Sequence, residues 1–261
     1  MIGQRVAVVS GAARGIGAAV VRRLAGDGWA VVAVDCCADD PDVPYPLASP
    51  DQLAALAAAF PQVCPVQADV RDAAALTGAV AAAEREFGRL DAAVAAAAVI
   101  LGGGPAWELS DTGWRTLLDV DVTGVLNLAR AAVPALLRSP QPRHGRFVAL
   151  ASAAAHRGLW RLGGYCAAKH AVLGLVRGLA CDLQGTGVNA VAISPGSTRT
   201  DMLQATADIY QLADAEQLAD HQLVRRLLEP EEVASVVAWA CSPEASAVTG
   251  SVLHADGGFT G

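Results

Sequence analysis

The chain has little charge and almost no lysine. Only 17% of its 261 residues are charged and 53% are hydrophobic, whereas a disordered chain needs the opposite balance. The net charge of −7 disfavours a general binder of nucleic acid or of anionic membranes, because such proteins are usually basic. Lys169 is the only lysine, and every other cationic side chain is arginine.

Cysteine pairs suited to a metal or a redox site are missing. The six cysteines are scattered without a C-x-x-C pair, and the adjacent Cys36 and Cys37 have a poor spacing for a metal or a disulfide. The sequence also lacks a basic leader with a cleavage site and a run of 18 apolar residues. We therefore expect a reduced, soluble, cytoplasmic protein with no metal site and with neither nucleic acid nor membrane as a partner.

Short apolar runs alternate with helical patterns along the whole chain. The predicted strands are Arg5–Ser10, Ala30–Asp35, Val63–Ala68, Leu90–Ala95, Arg146–Ala151, Val188–Ser194 and Ser251–Ala255. The predicted helices are Gly17–Asp27, Arg71–Phe87, Asp111–Arg138, Gly163–Gln184 and Pro230–Cys241. Buried strands that alternate with helices predict one α/β domain, residues 1–261, built on a doubly wound parallel sheet.

Two long segments interrupt this alternation. Residues 36–61 are acidic and proline-rich at first and then helical, and residues 198–229 mix polar and apolar side chains. Long excursions in a compact domain are usually lids or binding loops. We expect the second segment to contact substrate.

A glycine-rich turn, Ser10–Gly17 (SGAARGIG), follows the first strand and opens the first helix. Such a turn lets the backbone approach a pyrophosphate, and the helix start supplies unpaired N–H groups. The predicted dinucleotide contacts here are Gly11, Arg14, Gly15, Ile16 and Gly17. Asp35 ends the second strand, where a carboxylate accepts ribose hydroxyls and repels a 2′-phosphate. This predicts NAD as the cofactor, although Arg14 could hold such a phosphate.

Tyr165 and Lys169 are spaced i, i+4 and therefore share one face of a predicted helix. A neighbouring ammonium favours the phenolate, which suits Tyr165 to acid–base chemistry. Ser152 ends the fifth strand, so it could bind the same substrate oxygen as Tyr165. Pro195 and Gly196 follow the sixth strand at the same edge of the sheet, where the backbone can meet a ligand.

Together these motifs, with Asp69-Val70 and the terminal Asp256-Gly257-Gly258, resemble the short-chain dehydrogenase/reductase family over nearly the whole chain. The resemblance implies a seven-stranded Rossmann fold, a homotetramer and reversible hydride transfer between a nicotinamide and an alcohol or carbonyl. It also implies that Tyr165 is the acid–base, that Lys169 lowers its pKa and binds the nicotinamide ribose, and that Ser152 orients the substrate oxygen. Further cofactor contacts are expected from Cys36, Asp69, Val70, Ala96, Ala98, Tyr165, Lys169, Pro195, Gly196 and Thr198. Substrate contacts are expected from Ser152, His156, Trp160, Tyr165 and Met202.

Two positions depart from the family pattern. Ala95–Ala98 stands where the family usually has Asn-Asn-Ala-Gly, so the amide side chains that brace this loop are gone. Asp121 stands where the fourth catalytic residue, an asparagine, is expected. The resemblance implies that this position holds a proton-relay water through its backbone carbonyl, which an aspartate also possesses.

The insertion also carries a narrower resemblance. The segment Pro44–Leu53 (PYPLASPDQL) is similar to that of the mycofactocin-associated dehydrogenases, which include carveol-dehydrogenase-like enzymes. That resemblance implies an insertion that folds over NAD and a cofactor that mycofactocin recycles in place. Three alternatives stay open: an insertion that is only a surface loop, an ordinary ketoreductase of secondary metabolism with exchangeable NAD(H), and a non-catalytic NAD-binding protein.

Overall fold

The computed structural model describes residues 4–260. The predicted domain also includes residues 1–3 and 261, which lie outside that range. Within it the strands are β1 Val6–Ser10, β2 Ala30–Asp35, β3 Val63–Gln67, β4 Ala92–Ala95, β5 Arg146–Leu150, β6 Asn189–Pro195 and β7 Val252–Ala255. The α-helices are α1 Gly15–Gly26, α2 Pro50–Ala58, α3 Ala73–Phe87, α4 Asp111–Leu118, α5 Gly124–Arg138, α6 Gly163–Asp182, α7 Asp201–Ile209 and α8 Pro230–Cys241.

All seven strands pair in parallel, in the order β3-β2-β1-β4-β5-β6-β7. This confirms the predicted doubly wound fold. The order reverses direction between β1 and β4, so the carboxyl ends of these two strands open a crevice where such folds bind ligands.

The strands are apolar because both faces of the sheet are covered. Along β1, Val6 and Val8 pack on one face and Ala7 and Val9 on the other, all fully buried. The expectation of two-sided burial is wrong for both edge strands, because every residue of β7 is at least partly exposed and β3 is buried mainly through Val63. An edge strand tolerates proline, which explains why Pro65 lies inside it.

The predicted helix Asp111–Arg138 is interrupted. A π-helical turn, Asp119–Thr123, separates α4 from α5 and inserts an extra residue into the helical ladder. The whole span is long and apolar enough to cross a membrane, but half of its most apolar window is buried inside the fold. The core helix of a soluble protein meets the same criterion.

The two excursions lie at the carboxyl edge of the sheet. Residues 36–49, here called the strap, run from the end of β2 to α2 without regular structure. A capping box between Ser49 and Gln52, with Pro50 at the first helical position, starts α2. The second excursion forms α7 and a 3₁₀ segment, Ala215–His221.

Candidate active site

A cavity of about 620 Å³ lies at the carboxyl ends of the strands. It extends from the glycine-rich turn to α7 and is mainly apolar. The structure brings together at this cavity nearly all of the predicted site residues: Gly11, Arg14, Gly15, Ile16, Gly17, Asp35, Cys36, Asp69, Val70, Ala96, Ala98, Ser152, Trp160, Tyr165, Lys169, Pro195, Gly196, Thr198 and Met202. Asp121 and His156 do not line it.

The glycine-rich turn packs tightly and leaves a helix start open. Gly11 has a φ of +67°, and a Cβ there would lie 2.6 Å from backbone atoms of Ala97, so only glycine fits. No side chain caps the start of α1. Its first N–H groups therefore have no partner within the helix and fit an anionic phosphate group of a dinucleotide.

Asp35 is buried beside this turn. Its carboxylate accepts hydrogen bonds from the N–H groups of Ala13 (2.9 Å) and Cys37 (3.3 Å). A carboxylate has about four acceptor positions, so capacity remains for ribose hydroxyls. The guanidinium of Arg14 instead pairs with Asp201 at 3.1 Å, at the start of α7. This arrangement fits NAD better than a nucleotide with a 2′-phosphate.

We expect Asp35→Ala to raise the affinity for NADP relative to NAD by roughly tenfold, which corresponds to about 1.4 kcal/mol. The substitution removes the like-charge repulsion that a 2′-phosphate meets. The dissociation constants of both nucleotides for cofactor-free protein measure it. Asp42→Ala is the matched control, since it removes an exposed strap carboxylate that does not line the cavity. An unchanged ratio in Asp35→Ala would contradict the assignment.

The predicted catalytic residues Ser152, Tyr165 and Lys169 lie together in the lining of the cavity, a cluster here called the candidate reactive centre. Tyr165 and Lys169 lie one turn apart on α6 and are 7% and 2% exposed. The Ser152 hydroxyl accepts the Ala154 N–H at 3.1 Å and lies near enough to the Tyr165 phenol to lower its pKa. The Lys169 Nζ donates to the Leu150 carbonyl at 3.3 Å. A substrate oxygen held by the serine and tyrosine hydroxyls would sit where a proton can be exchanged.

Burial is the largest influence on the Tyr165 phenol and raises its pKa. Lys169 lowers the pKa and Asp121 raises it, so the pKa stays above its ordinary value of about 10. Lys169 therefore lowers the pKa of Tyr165, as predicted. In the protein without cofactor, however, its effect is too small to bring that pKa down to neutral pH.

Asp121 lies in the π-helical turn and is fully buried. One carboxylate oxygen accepts the Val99 N–H at 2.8 Å, and the other lies 3.2 Å from the Lys169 Nζ. Desolvation lowers the pKa of Lys169, but Asp121 and Tyr165 outweigh it and raise the pKa overall. The sequence pointed to the backbone carbonyl of this position and missed the side-chain contact with Lys169.

The loop after β4 keeps its shape without asparagines. Its backbone N–H groups donate to three other side chains: Ala96 to the Ser10 hydroxyl (3.3 Å), Val99 to Asp121 (2.8 Å) and Ile100 to the Tyr45 hydroxyl (2.8 Å). Ala98, at the position where the family has glycine, does not need a positive φ. Sequence reasoning assigned neither Ser10 nor the Tyr45 hydroxyl a role in supporting this loop.

Several contacts fasten the strap to the body, among them a hydrogen bond from the Gln67 side chain to the Cys36 carbonyl at 3.0 Å. Besides the Tyr45 bond to Ile100, the guanidinium of Arg71 bridges Asp40 of the strap (2.7 Å) and Asp69 after β3 (2.6 Å). Burial alone would raise the pKa of Asp69, but hydrogen bonds from Arg71 outweigh it and lower the pKa. Strap residues Ala38, Asp39, Asp40, Leu47 and Ala48 line the cavity.

The opposite end of the cavity is apolar. Trp160 is 65% exposed at the mouth, with its ring 6.0 Å from that of Tyr210, and Met202 on α7 lies nearby in the lining. His156 does not reach the cavity, because its Nε2 lies 2.8 Å from the Ser194 hydroxyl. Within residues 4–260, no cluster of three or more His, Cys, Asp or Glu side chains could hold a metal.

The chain is similar to known oxidoreductases over almost its full length. Residues 11–260 match the family model described as enoyl-(acyl carrier protein) reductase. The chain is 38% identical to an uncharacterised oxidoreductase of Mycobacterium tuberculosis, covering 98% of this chain and 96% of the relative. It is 31% identical to the (−)-trans-carveol dehydrogenase of Rhodococcus erythropolis, covering 98% and 97%.

A solved structure is also similar to the whole chain. The carveol dehydrogenase of Mycobacterium avium, solved in complex with NAD, superposes with a TM-score of 0.92 at 29% identity. The superposition covers 98% of each chain.

Proposed function

The chain belongs to the short-chain dehydrogenase/reductase family, and we propose that it interconverts a hydrophobic alcohol and its carbonyl with an NAD that stays bound between turnovers. It is an NAD-dependent oxidoreductase of alcohols and carbonyls. The nicotinamide of NAD supplies or accepts the hydride. The observation that carries the finer proposal is the strap, which lines the cavity and is fastened to the body through Tyr45 and Arg71.

The candidate reactive centre supports proton transfer at the substrate oxygen. Ser152 and Tyr165 are positioned to hold that oxygen, and Tyr165 takes the alcohol proton in one direction and returns it in the other. Lys169 is 2% exposed, and its ammonium lies 5.6 Å from the centre of the Tyr165 ring, where its charge lowers the pKa of the phenol.

The strap supports a slow escape of the cofactor. It starts directly after Asp35, so it begins beside the expected position of the adenosine ribose. Its prolines restrict φ and reduce the entropy lost in holding one shape. A nucleotide under it can leave only after the strap moves, which breaks the Tyr45–Ile100 hydrogen bond or the Asp40–Arg71 ion pair. An external redox carrier such as mycofactocin would then recycle the NAD in place.

The apolar end of the cavity supports a hydrophobic alcohol. Leu159, Trp160, Leu162, Met202 and Tyr210 line it, and apolar walls with a few polar groups are typical of small-molecule sites. The similarity to a protein named as a carveol dehydrogenase agrees with this substrate class. We also propose that the protein is a cytoplasmic homotetramer. The outer edge of β7, the last strand of the sheet, is a candidate contact between subunits.

The rate of NADH release tests the proposal. We expect purified protein to carry NAD(H), identified by mass spectrometry after denaturation, and to release NADH over seconds or longer, followed by its fluorescence. An alcohol should give sustained turnover only with an artificial electron acceptor. Release within milliseconds, with turnover on added NAD alone, would contradict retention and favour the exchangeable ketoreductase. A protein that binds NAD but converts no alcohol or carbonyl would be a non-catalytic binder.

A further inference from the structure

Asp121 is an acidic side chain in direct contact with Lys169. The two charged atoms lie 3.2 Å apart, and the side chains are 0% and 2% exposed. At that distance, and away from water, a carboxylate opposes the field that the ammonium exerts on a third group. That third group is Tyr165, one helical turn before Lys169.

We propose that the Asp121 carboxylate counters the charge of Lys169 and so shifts the Tyr165 side chain towards the phenol, the form that donates a proton to a carbonyl. Asp121 is therefore a positioning residue that acts through Lys169. This inference rests on the proposed function, because it concerns the proton transfer of that reaction.

Among the titratable groups near Tyr165, Asp121 is the acid that most raises the pKa of the phenol through its charge. Within residues 4–260, the titratable groups that influence it are Lys169, Asp121 and Cys166, and Tyr45 of the strap faces it from the other side. Burial raises the pKa of Cys166 and of Tyr45, so both stay neutral. Burial raises the pKa of Asp121 as well, although the Lys169 ammonium and the Val99 N–H favour its carboxylate. Among these acids, Asp121 is the one whose oxygen lies 3.2 Å from an ammonium.

Removal of the Asp121 charge should therefore favour the phenolate. Alcohol oxidation needs the phenolate, so its rate falls as the pH drops below the pKa of Tyr165. Carbonyl reduction needs the phenol, so its rate falls above that pKa. In a variant without the Asp121 charge, the pH below which oxidation slows and the pH above which reduction slows should both be lower.

Asp121→Asn is the variant for the test. Its side-chain oxygen can still accept the Val99 N–H, so the loop after β4 keeps its support. Asp119→Asn is the matched control, because it removes an exposed carboxylate two residues away in the same π-helical turn.

Two readouts are needed. The first is the pH dependence of a single turnover by enzyme loaded with NAD and an alcohol. The second is the near-ultraviolet absorbance of tyrosinate in cofactor-free protein, with the Tyr165→Phe spectrum in the same background subtracted. The chain has only three tyrosines, which keeps this difference interpretable.

We expect both midpoints to move to lower pH by about one unit in Asp121→Asn, a tenfold change in proton affinity, and to stay in place in Asp119→Asn. An unmoved midpoint, a move to higher pH, or an equal move in the control would overturn the inference. If no alcohol or carbonyl reacts with the wild-type protein, the proposed function fails, and the tyrosinate titration alone still decides the role of Asp121.

Discussion

Tyr165→Phe is expected to slow hydride transfer by about 100- to 10,000-fold, the usual cost of losing one general acid–base group. The phenylalanine keeps the ring that packs among Val99, Leu162 and Cys166 and removes only the phenol oxygen, whose pKa Ser152 lowers. Without that oxygen, the proton of the alcohol has no acceptor. The rate of NADH formation in a single turnover measures the effect.

Nucleotide binding in Tyr165→Phe serves as the internal control. The glycine-rich turn, Asp35 and the strap are untouched by the substitution, so the variant should contain as much bound NAD(H) as the wild-type protein. A variant that keeps more than half of the wild-type rate would remove Tyr165 from the mechanism. Loss of both nucleotide and rate would mean a damaged fold, and circular dichroism would detect it.

Shortening the strap between Asp39 and Pro50 is expected to speed NADH release by about 100-fold. The deletion removes the Tyr45 hydroxyl that accepts the Ile100 N–H and the Asp40 carboxylate that pairs with Arg71. A neutral hydrogen bond is worth about 1 kcal/mol and one to a charged group about 2 kcal/mol. Together they correspond to roughly 100-fold. Stopped-flow fluorescence of bound NADH measures the rate.

A point substitution separates the effect of losing one contact of the strap from the effect of losing the whole segment. Arg71→Gln breaks the bridge between Asp40 and Asp69, and we expect release several-fold faster than in the wild-type protein. Arg138→Gln is the control, because its guanidinium holds Glu84 at 2.8 Å between α3 and α5, outside the cavity lining. Release that is equally slow without the strap would show that something else retains the cofactor.

Much of the fold could be predicted because its signals are local. Ala30–Asp35 and Pro230–Cys241 have the predicted bounds. Pro230 fits the first helical position, and Glu229 and Glu232 form a capping box around it. The π-helical turn Asp119–Thr123 was not predicted, because one extra residue in a helical ladder leaves no mark on an apolar pattern.

The same distinction applies to the site. The gathering of the predicted cofactor residues at one cavity was predictable because they follow strands, and a parallel sheet brings all carboxyl ends to one edge. Pairings between distant elements were not, since no spacing rule relates Asp121 to Lys169 or Asp40 to Arg71. His156 was chosen for its nearness in sequence to Ser152, but a 3₁₀ turn, Ala153–Ala155, carries its ring towards Ser194.

The scarcity of lysine has a consequence for labelling. Since Lys169 is the sole lysine and is 2% exposed, an amine-directed reagent finds no lysine side chain on the surface of the native protein. Modification of a lysine by such a reagent would therefore report that the centre of the molecule has opened, as a built-in probe of local unfolding. Lys169 is thus the only lysine side chain available for labelling, and the intact fold buries it.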